Sequence, residues 1–85
     1  MSKYNPLRIF LENAPSAVSE MTLSFQQVES ILGFVLPPSA RRHRAWWANP
    51  SSPQDHPYAQ AWLAAGGKVD TVDQQAEWVR FRRVS

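Results

Sequence analysis

Ten residues of this chain, SFQQVESILG from Ser24 to Gly33, state where a helix begins, which face it buries and where it stops. Ser24 is a good N-cap. Gln27 stands three positions later, the spacing at which each side chain can hydrogen-bond the other residue's backbone N–H. Phe25, Val28, Ile31 and Leu32 share one face at helical spacing. Gly33 tolerates the left-handed conformation that ends helices. A helix over 25–32 is expected, and the remaining chain must cover its apolar face.

The flanking segments suggest how. In NPLRIFLENA, Pro6 suits a first helical turn and Asn5 a cap, so a short helix runs over about 5–13, with Tyr4 packing at its start. Ala14, Pro15 and Ser16 end it. In VSEMTLS, Val18, Met21 and Leu23 alternate imperfectly, which predicts a short edge strand over about 20–23. Beyond Gly33, Pro38 disfavours helical geometry at Pro37. A second helix therefore starts at Pro38 or Ser39 and reaches about 44–47, before Asn49-Pro50 breaks it. SSPQDHP is a polar loop. HPYAQAWLAAGG predicts a helix over about 57–65, with Tyr58, Ala61, Trp62 and Ala65 on one stripe and Gly66-Gly67 as its stop.

KVDTVDQ and AEWVRFRRV then read as two strands joined near Gln74-Gln75. Val79 and Phe81 face one way; Trp78, Arg80 and Arg82 face the other. An antiparallel hairpin with one buried and one wet side accounts for that alternation. The order is that of a winged helix-turn-helix. The expected fold is α+β, one domain over 1–85, with three or four short helices and a C-terminal β-hairpin. The helix pair around Gly33–Pro38 would be the turn unit and the hairpin at 68–83 the wing. Other α+β folds share this order, so the fold leaves function open.

Eighty-five residues without a cysteine have no disulfide or thiolate metal site to brace them. Such a chain buries only about 60–65% of its unfolded surface. Four Trp, four Phe and two Tyr are the material for its core.

The net charge of +2 hides an uneven distribution. SARRHRAWWAN, Ser39 to Asn49, holds Arg41, Arg42 and Arg44 with no acid among them. Arg80, Arg82 and Arg83 form a second cluster, so two short segments carry six of the nine basic residues. Clustered arginine is the footprint of a phosphate-binding face, or of two solvated patches. The N-terminus has no apolar run of the signal-peptide kind, and no segment approaches about 18 apolar residues. No membrane partner is expected, and a cytoplasmic location in a bacterium, archaeon or virus is.

From residue 22 onward the sequence resembles a family of small bacterial and phage domains with the pattern LG…LPxSAR…WWxN…AWxxAG…FxR. The matching residues include Phe25, Glu29, Leu32-Gly33, Leu36-Pro37, Ser39-Ala40-Arg41, Trp46-Trp47, Asn49, Ala61-Trp62, Ala65-Gly66 and Phe81 with Arg82 or Arg83. Members stand alone or beside nuclease-like domains, which implies a nucleic-acid setting. Where this chain has Gly67, relatives often carry a large residue, so packing under the first wing strand is expected to differ.

As a nucleic-acid surface, Arg41, Arg42 and Arg44 pair with phosphates or fork onto guanine O6 and N7. Ser39, at a helix start, aims N–H groups and its hydroxyl at a phosphate. His43 adds a hydrogen bond. Asn49 reads adenine or caps its loop. Arg80 and Arg82 give a second grip. Six arginines on six phosphates would give a log–log salt slope of about −5. DNA is the expected partner ahead of RNA. Glu29 is expected to pair with Arg41 or Arg44 and orient the turn between them.

Adjacent Trp46 and Trp47 point about 100° apart on a helix and to opposite faces on a strand. One is expected inside and the other at least partly outside. Core packing, base stacking by Trp47 and anchoring of a protein partner are all open. Trp62 belongs to the core stripe. Trp78, among arginines, is expected outside in a cation–π contact with Arg80 or Arg82.

No catalytic signature is present, and neither an enzyme activity nor a cofactor is expected. A zinc site from His43, Asp55 and His56 would lack a fourth ligand. The rival to nucleic-acid binding is a protein-interaction module. A phage or mobile-element protein could use the same arginines and tryptophans to seize a host protein, for example within a defence complex.

Overall fold

The computed structural model describes residues 3–15, 17–50 and 57–84. In chain order the elements are α1 (Asn5–Glu12), β1 (Glu20–Ser24), α2 (Phe25–Leu32), α3 (Pro38–Arg42), a 3₁₀ turn (Arg44–Trp47), α4 (Pro57–Ala64), β2 (Gly67–Asp73) and β3 (Trp78–Arg83). The fold is a small α+β domain of the winged-helix-like kind, with short helices and a C-terminal hairpin. Its sheet runs β1-β3-β2, antiparallel throughout, so the expected edge strand β1 lies against the last strand of the hairpin.

α2 forms as its sequence dictates. Ser24 Oγ accepts the Gln27 N–H at 3.0 Å, and Gln27 Oε1 accepts the Ser24 N–H at 2.8 Å. Gly33 ends the helix at φ 86°, where an L side chain would be strained. α1 departs from expectation at its start. Tyr4 is the cap residue, and Asn5 lies inside the helix, where its Oδ1 accepts Arg8 Nε at 2.9 Å.

The larger departure is downstream. The helix expected to run from Pro38 to about 44–47 stops at Arg42, because His43 is extended at φ −117° and ψ 110°. The chain then re-enters a 3₁₀ turn on a new axis. This break overturns the expectation for the tryptophan pair. Trp46 is 8% exposed and Trp47 2%, so both indoles are inside. They serve two sides of the core. Trp46 stacks on Tyr58 at 4.3 Å and meets Tyr4 edge-on at 6.2 Å. Trp47 lies in a column of rings, 5.2 Å from Phe25 and 5.7 Å from Trp62, with Phe81 a further 5.7 Å beyond Trp62. Helices, 3₁₀ turn and sheet are thus joined through one aromatic stack. A core of aromatic faces supplies what a cysteine-free chain of this length lacks in disulfides.

The hairpin alternates as its sequence predicts. Val79 and Phe81 are buried at 0% and 3%. Trp78, Arg80 and Arg82 occupy the opposite, uncovered face. Gly66 stops α4 at φ 81°, while Gly67 already belongs to β2. A side chain at 67 would meet the Arg82 carbonyl at 3.3 Å, so β2 approaches β3 here at a distance suited to glycine.

Candidate nucleic-acid interface

The break at His43 makes a knuckle. Arg42, His43, Arg44 and Ala45 are exposed in succession, between buried Ala40 on one side and buried Trp46 and Trp47 on the other. Among the described residues, the side chains of Arg42, His43 and Arg44 make no hydrogen bond or ion pair. Their side chains stand in solvent on a backbone held by the core at both ends.

Arg41 has another role. Its Nη1 donates to Glu29 Oε2 at 3.0 Å and its Nε to Glu77 Oε2 at 3.0 Å. Its guanidinium carbon lies 5.7 Å from the centroid of the Phe25 ring, at the end of the aromatic column. The expected pairing of Glu29 with this cluster is present, with Arg41 as partner. The same Glu29 Oε2 accepts the Leu36 N–H at 2.8 Å, so one carboxylate holds α2, the turn and α3 together. The Arg41 hydrogen bond holds the Glu29 carboxyl below its ordinary value of 4.5; partial burial opposes this, and the Leu36 N–H adds to it.

A depressed folded-state pKa contributes stability above the unfolded value that is lost as pH falls through the folded one. Glu29→Gln is therefore expected to lower the melting temperature at pH 7 and to flatten its decline below about pH 5. Melts from pH 7 to pH 3 check this; equal slopes in both proteins would contradict it.

Ser39 is half-buried in the first turn of α3, a helix of five residues capped by Pro37. So short a helix spans about 7.5 Å and has little dipole to offer a phosphate. It is also too short to lay several side chains along a major groove.

Trp47 offers no free ring for a base. Its faces are occupied by Phe25 and Trp62, and its Nε1–H donates to the Ala40 carbonyl at 2.8 Å. Asn49 is committed as well. Its Oδ1 accepts the Val69 N–H at 3.0 Å and the Trp62 indole N–H at 3.2 Å, and its Nδ2 donates to the Val69 carbonyl at 3.0 Å. The amide acts as a short stretch of strand along the free edge of β2. This clamp replaces the two roles expected of Asn49, base reader or local loop cap.

On the wing, Arg80 Nε donates to Thr22 Oγ1 at 3.1 Å, and its guanidinium carbon lies 5.4 Å from the Trp78 ring centroid. The expected cation–π partner of Trp78 is thus Arg80. Arg82 approaches Asp70 at 3.9 Å. Arg83 Nη2 donates to the Ala14 carbonyl at 3.2 Å, tying the last strand to the end of α1.

Arg44 of the first cluster and Arg82 of the second each lie near Asp70 of β2. A groove of about 410 Å³ runs between the 3₁₀ turn and this strand, with Arg44 on one wall and Asp70 and Thr71 on the other. Asp70 in turn faces Arg82, so an acid lies between the clusters. The tip of the wing is fastened to α3. Gln74 Nε2 donates to the Ala40 carbonyl at 3.0 Å, beside the Arg41–Glu77 pair. Sequence reasoning missed Gln74, Glu77 and the clamping role of Asn49, because each partner lies far along the chain.

α4, which feeds directly into β2, carries no charged residue and buries Ala59, Ala61 and Trp62. Asp55 and His56 lie outside the described residues. Among the described residues, no three His, Asp or Glu side chains are grouped to hold a metal. No described helix is long and apolar enough to cross a membrane.

Residues 4–84 match the family described as "Domain of unknown function (DUF7662)". The chain belongs to that family. The DUF7662 match takes in α1 as well as the segment from residue 22 onward, in keeping with Tyr4, Leu7 and Leu11 being core residues. No curated protein and no solved structure matched the chain.

Proposed function

We propose that this domain binds nucleic acid, DNA in the first place, through the knuckle Arg42-His43-Arg44, with Arg80 and Arg82 of the wing as a second contact. The observation that carries the reading is the division of labour among the arginines. Arg41, Arg80 and Arg83 donate to groups of the protein itself, and Arg82 faces Asp70. Among the described residues the Arg42 and Arg44 side chains have no partner, yet the core positions them. Guanidinium groups held in this way can neutralise phosphates with little further loss of backbone entropy. The mode of action is binding without chemistry, as a small accessory or regulator of a DNA-processing system in a bacterial or phage-infected cytoplasm.

The combined change Arg42→Ala and Arg44→Ala is expected to weaken duplex binding about tenfold or more near 50 mM salt. The melting temperature should hold, since neither side chain has a partner to lose. Fluorescence anisotropy and a thermal melt read the two quantities. A falling melting temperature with unchanged binding would make the pair structural.

The second reading, capture of a host protein, no longer has Trp46 or Trp47 as anchors. It rests on Ile9 and Phe10 of α1, adjacent apolar residues 45% and 39% exposed. Failure to bind duplex, single-stranded DNA or RNA near 50 mM salt would favour it.

A further inference from the structure

We infer that the uncovered face of the sheet is a platform for a short single strand of nucleic acid, separate from the knuckle, with Trp78 as the ring on which a base stacks. The inference shares the nucleic-acid premise of the proposed function, and Arg80 and Arg82 with it, but rests on Trp78 and takes a different form of ligand.

Leu23, Val72, Val79 and Phe81 are buried on one side of the sheet, and α2, α4 and the 3₁₀ turn contact its strands. On the other side the central strand β3 presents Trp78, Arg80 and Arg82, and no residue of that face is buried. The register sets Thr22 beside Arg80 and Ser24 beside Trp78 on one flank, and Lys68 beside Arg82 on the other. Trp46, Trp47 and Trp62 are all core residues, which leaves Trp78 as the tryptophan with a face toward solvent. The Arg80 guanidinium carbon lies 5.4 Å from the centroid of that ring. An arginine lying on an indole can swing to a phosphate when a base takes its place, and the planar guanidinium can stack in its turn.

An aromatic on the central strand, flanked by cations and hydroxyls on an open sheet, has the chemistry that single strands require. Unpaired bases offer π-faces, which a duplex hides. The charge pattern favours the same ligand. Glu20 and Asp73 lie on the flanking strands, and Asp70 lies 3.9 Å from Arg82. The face as a whole is thus close to neutral, so long-range charge attraction adds little to a ligand held there. Stacking would supply most of the affinity. With three cations available, the log–log salt slope for a single strand would be no steeper than about −2.

The test uses labelled ten-nucleotide dT and rU strands with the full-length protein, beside a random duplex. The strands should bind, with DNA and RNA distinguished by the two probes. Trp78→Ala should lose about 5- to 150-fold of that affinity, the range of one stacked base, while Trp78→Phe keeps most of it. Binding should also quench tryptophan emission in the natural protein, and this quench should vanish in Trp78→Phe although the strand still binds. Full affinity in a folded Trp78→Ala protein, a quench that survives in Trp78→Phe, or no single-strand binding at all would overturn the proposal. Duplex binding without single-strand binding sinks this inference alone. Single-strand binding without duplex binding sinks the knuckle reading alone.

Discussion

Trp47→Ala is expected to lower the melting temperature by about 15–30 °C and to leave a large unfolded fraction at physiological temperature. Trp47 sits mid-column between Phe25 and Trp62, is 2% exposed, and donates its indole N–H to Ala40. Truncating a buried tryptophan costs about 3–5 kcal/mol in lost transfer energy and cavity. A domain of this length has only about 4–13 kcal/mol in total. The neighbours cannot close the gap cheaply, because Phe25 belongs to α2, Trp62 to α4 and Ala40 to α3. Collapse would have to move three elements. Thermal melts followed by circular dichroism give the number; a fall below about 5 °C would show that the column is not the keystone of the core.

Asn49→Ala is expected to cost about 2–3 kcal/mol and 10–20 °C in melting temperature, a large effect for an exposed residue. The substitution removes three hydrogen bonds at once. Trp62 is fully buried, and its indole N–H would be left without an acceptor, the costly outcome for a buried donor. The Val69 N–H and carbonyl would lose their partner on the free edge of β2, where unpaired strand groups also invite association with other chains. At a temperature where the variant is folded, its affinity for duplex should equal that of the natural protein, since the amide faces β2 and Trp62. Weaker or altered binding with an unchanged melting temperature would restore Asn49 as a base reader.

What the sequence disclosed follows the range of the interactions involved. α2 was legible to the residue because its cap, face and stop are local: Ser24, Gln27 and Gly33 act within a few positions of one another. The hairpin was legible from its period of two, which the buried pair Val79 and Phe81 confirms. The pairing of Glu29 with Arg41 was foreseen as one of two possibilities, since an acid one helix away from an arginine cluster has a partner close by. The tryptophans were misjudged for a tertiary reason. Their directions depend on the extended conformation at His43, and no local signal marks that residue as a break. Proline or glycine would have done so; here the break exists because both indoles find places in the core. The arginine clusters were visible as clusters, but their commitments were not. Arg41 is tied to Glu77 from 36 positions away, and Arg83 to Ala14 from 69. Asn49 was conspicuous as a residue, yet its partners lie 13 and 20 positions on, so its role as a clamp had no signature in the sequence.

These commitments also change the electrostatic expectation. With Arg41 and Arg83 bound internally, at most four of the six clustered arginines remain for phosphates. The salt dependence of duplex binding should therefore be shallower than six free arginines would give. The direct measurement is an anisotropy titration of the natural protein on a random-sequence duplex between about 50 and 200 mM salt. If Arg42 and Arg44 hold phosphates, with or without Arg80 and Arg82, the log–log slope lies between about −2 and −4. A slope near zero, or no binding at the lowest salt, would mean that the exposed knuckle serves some other partner.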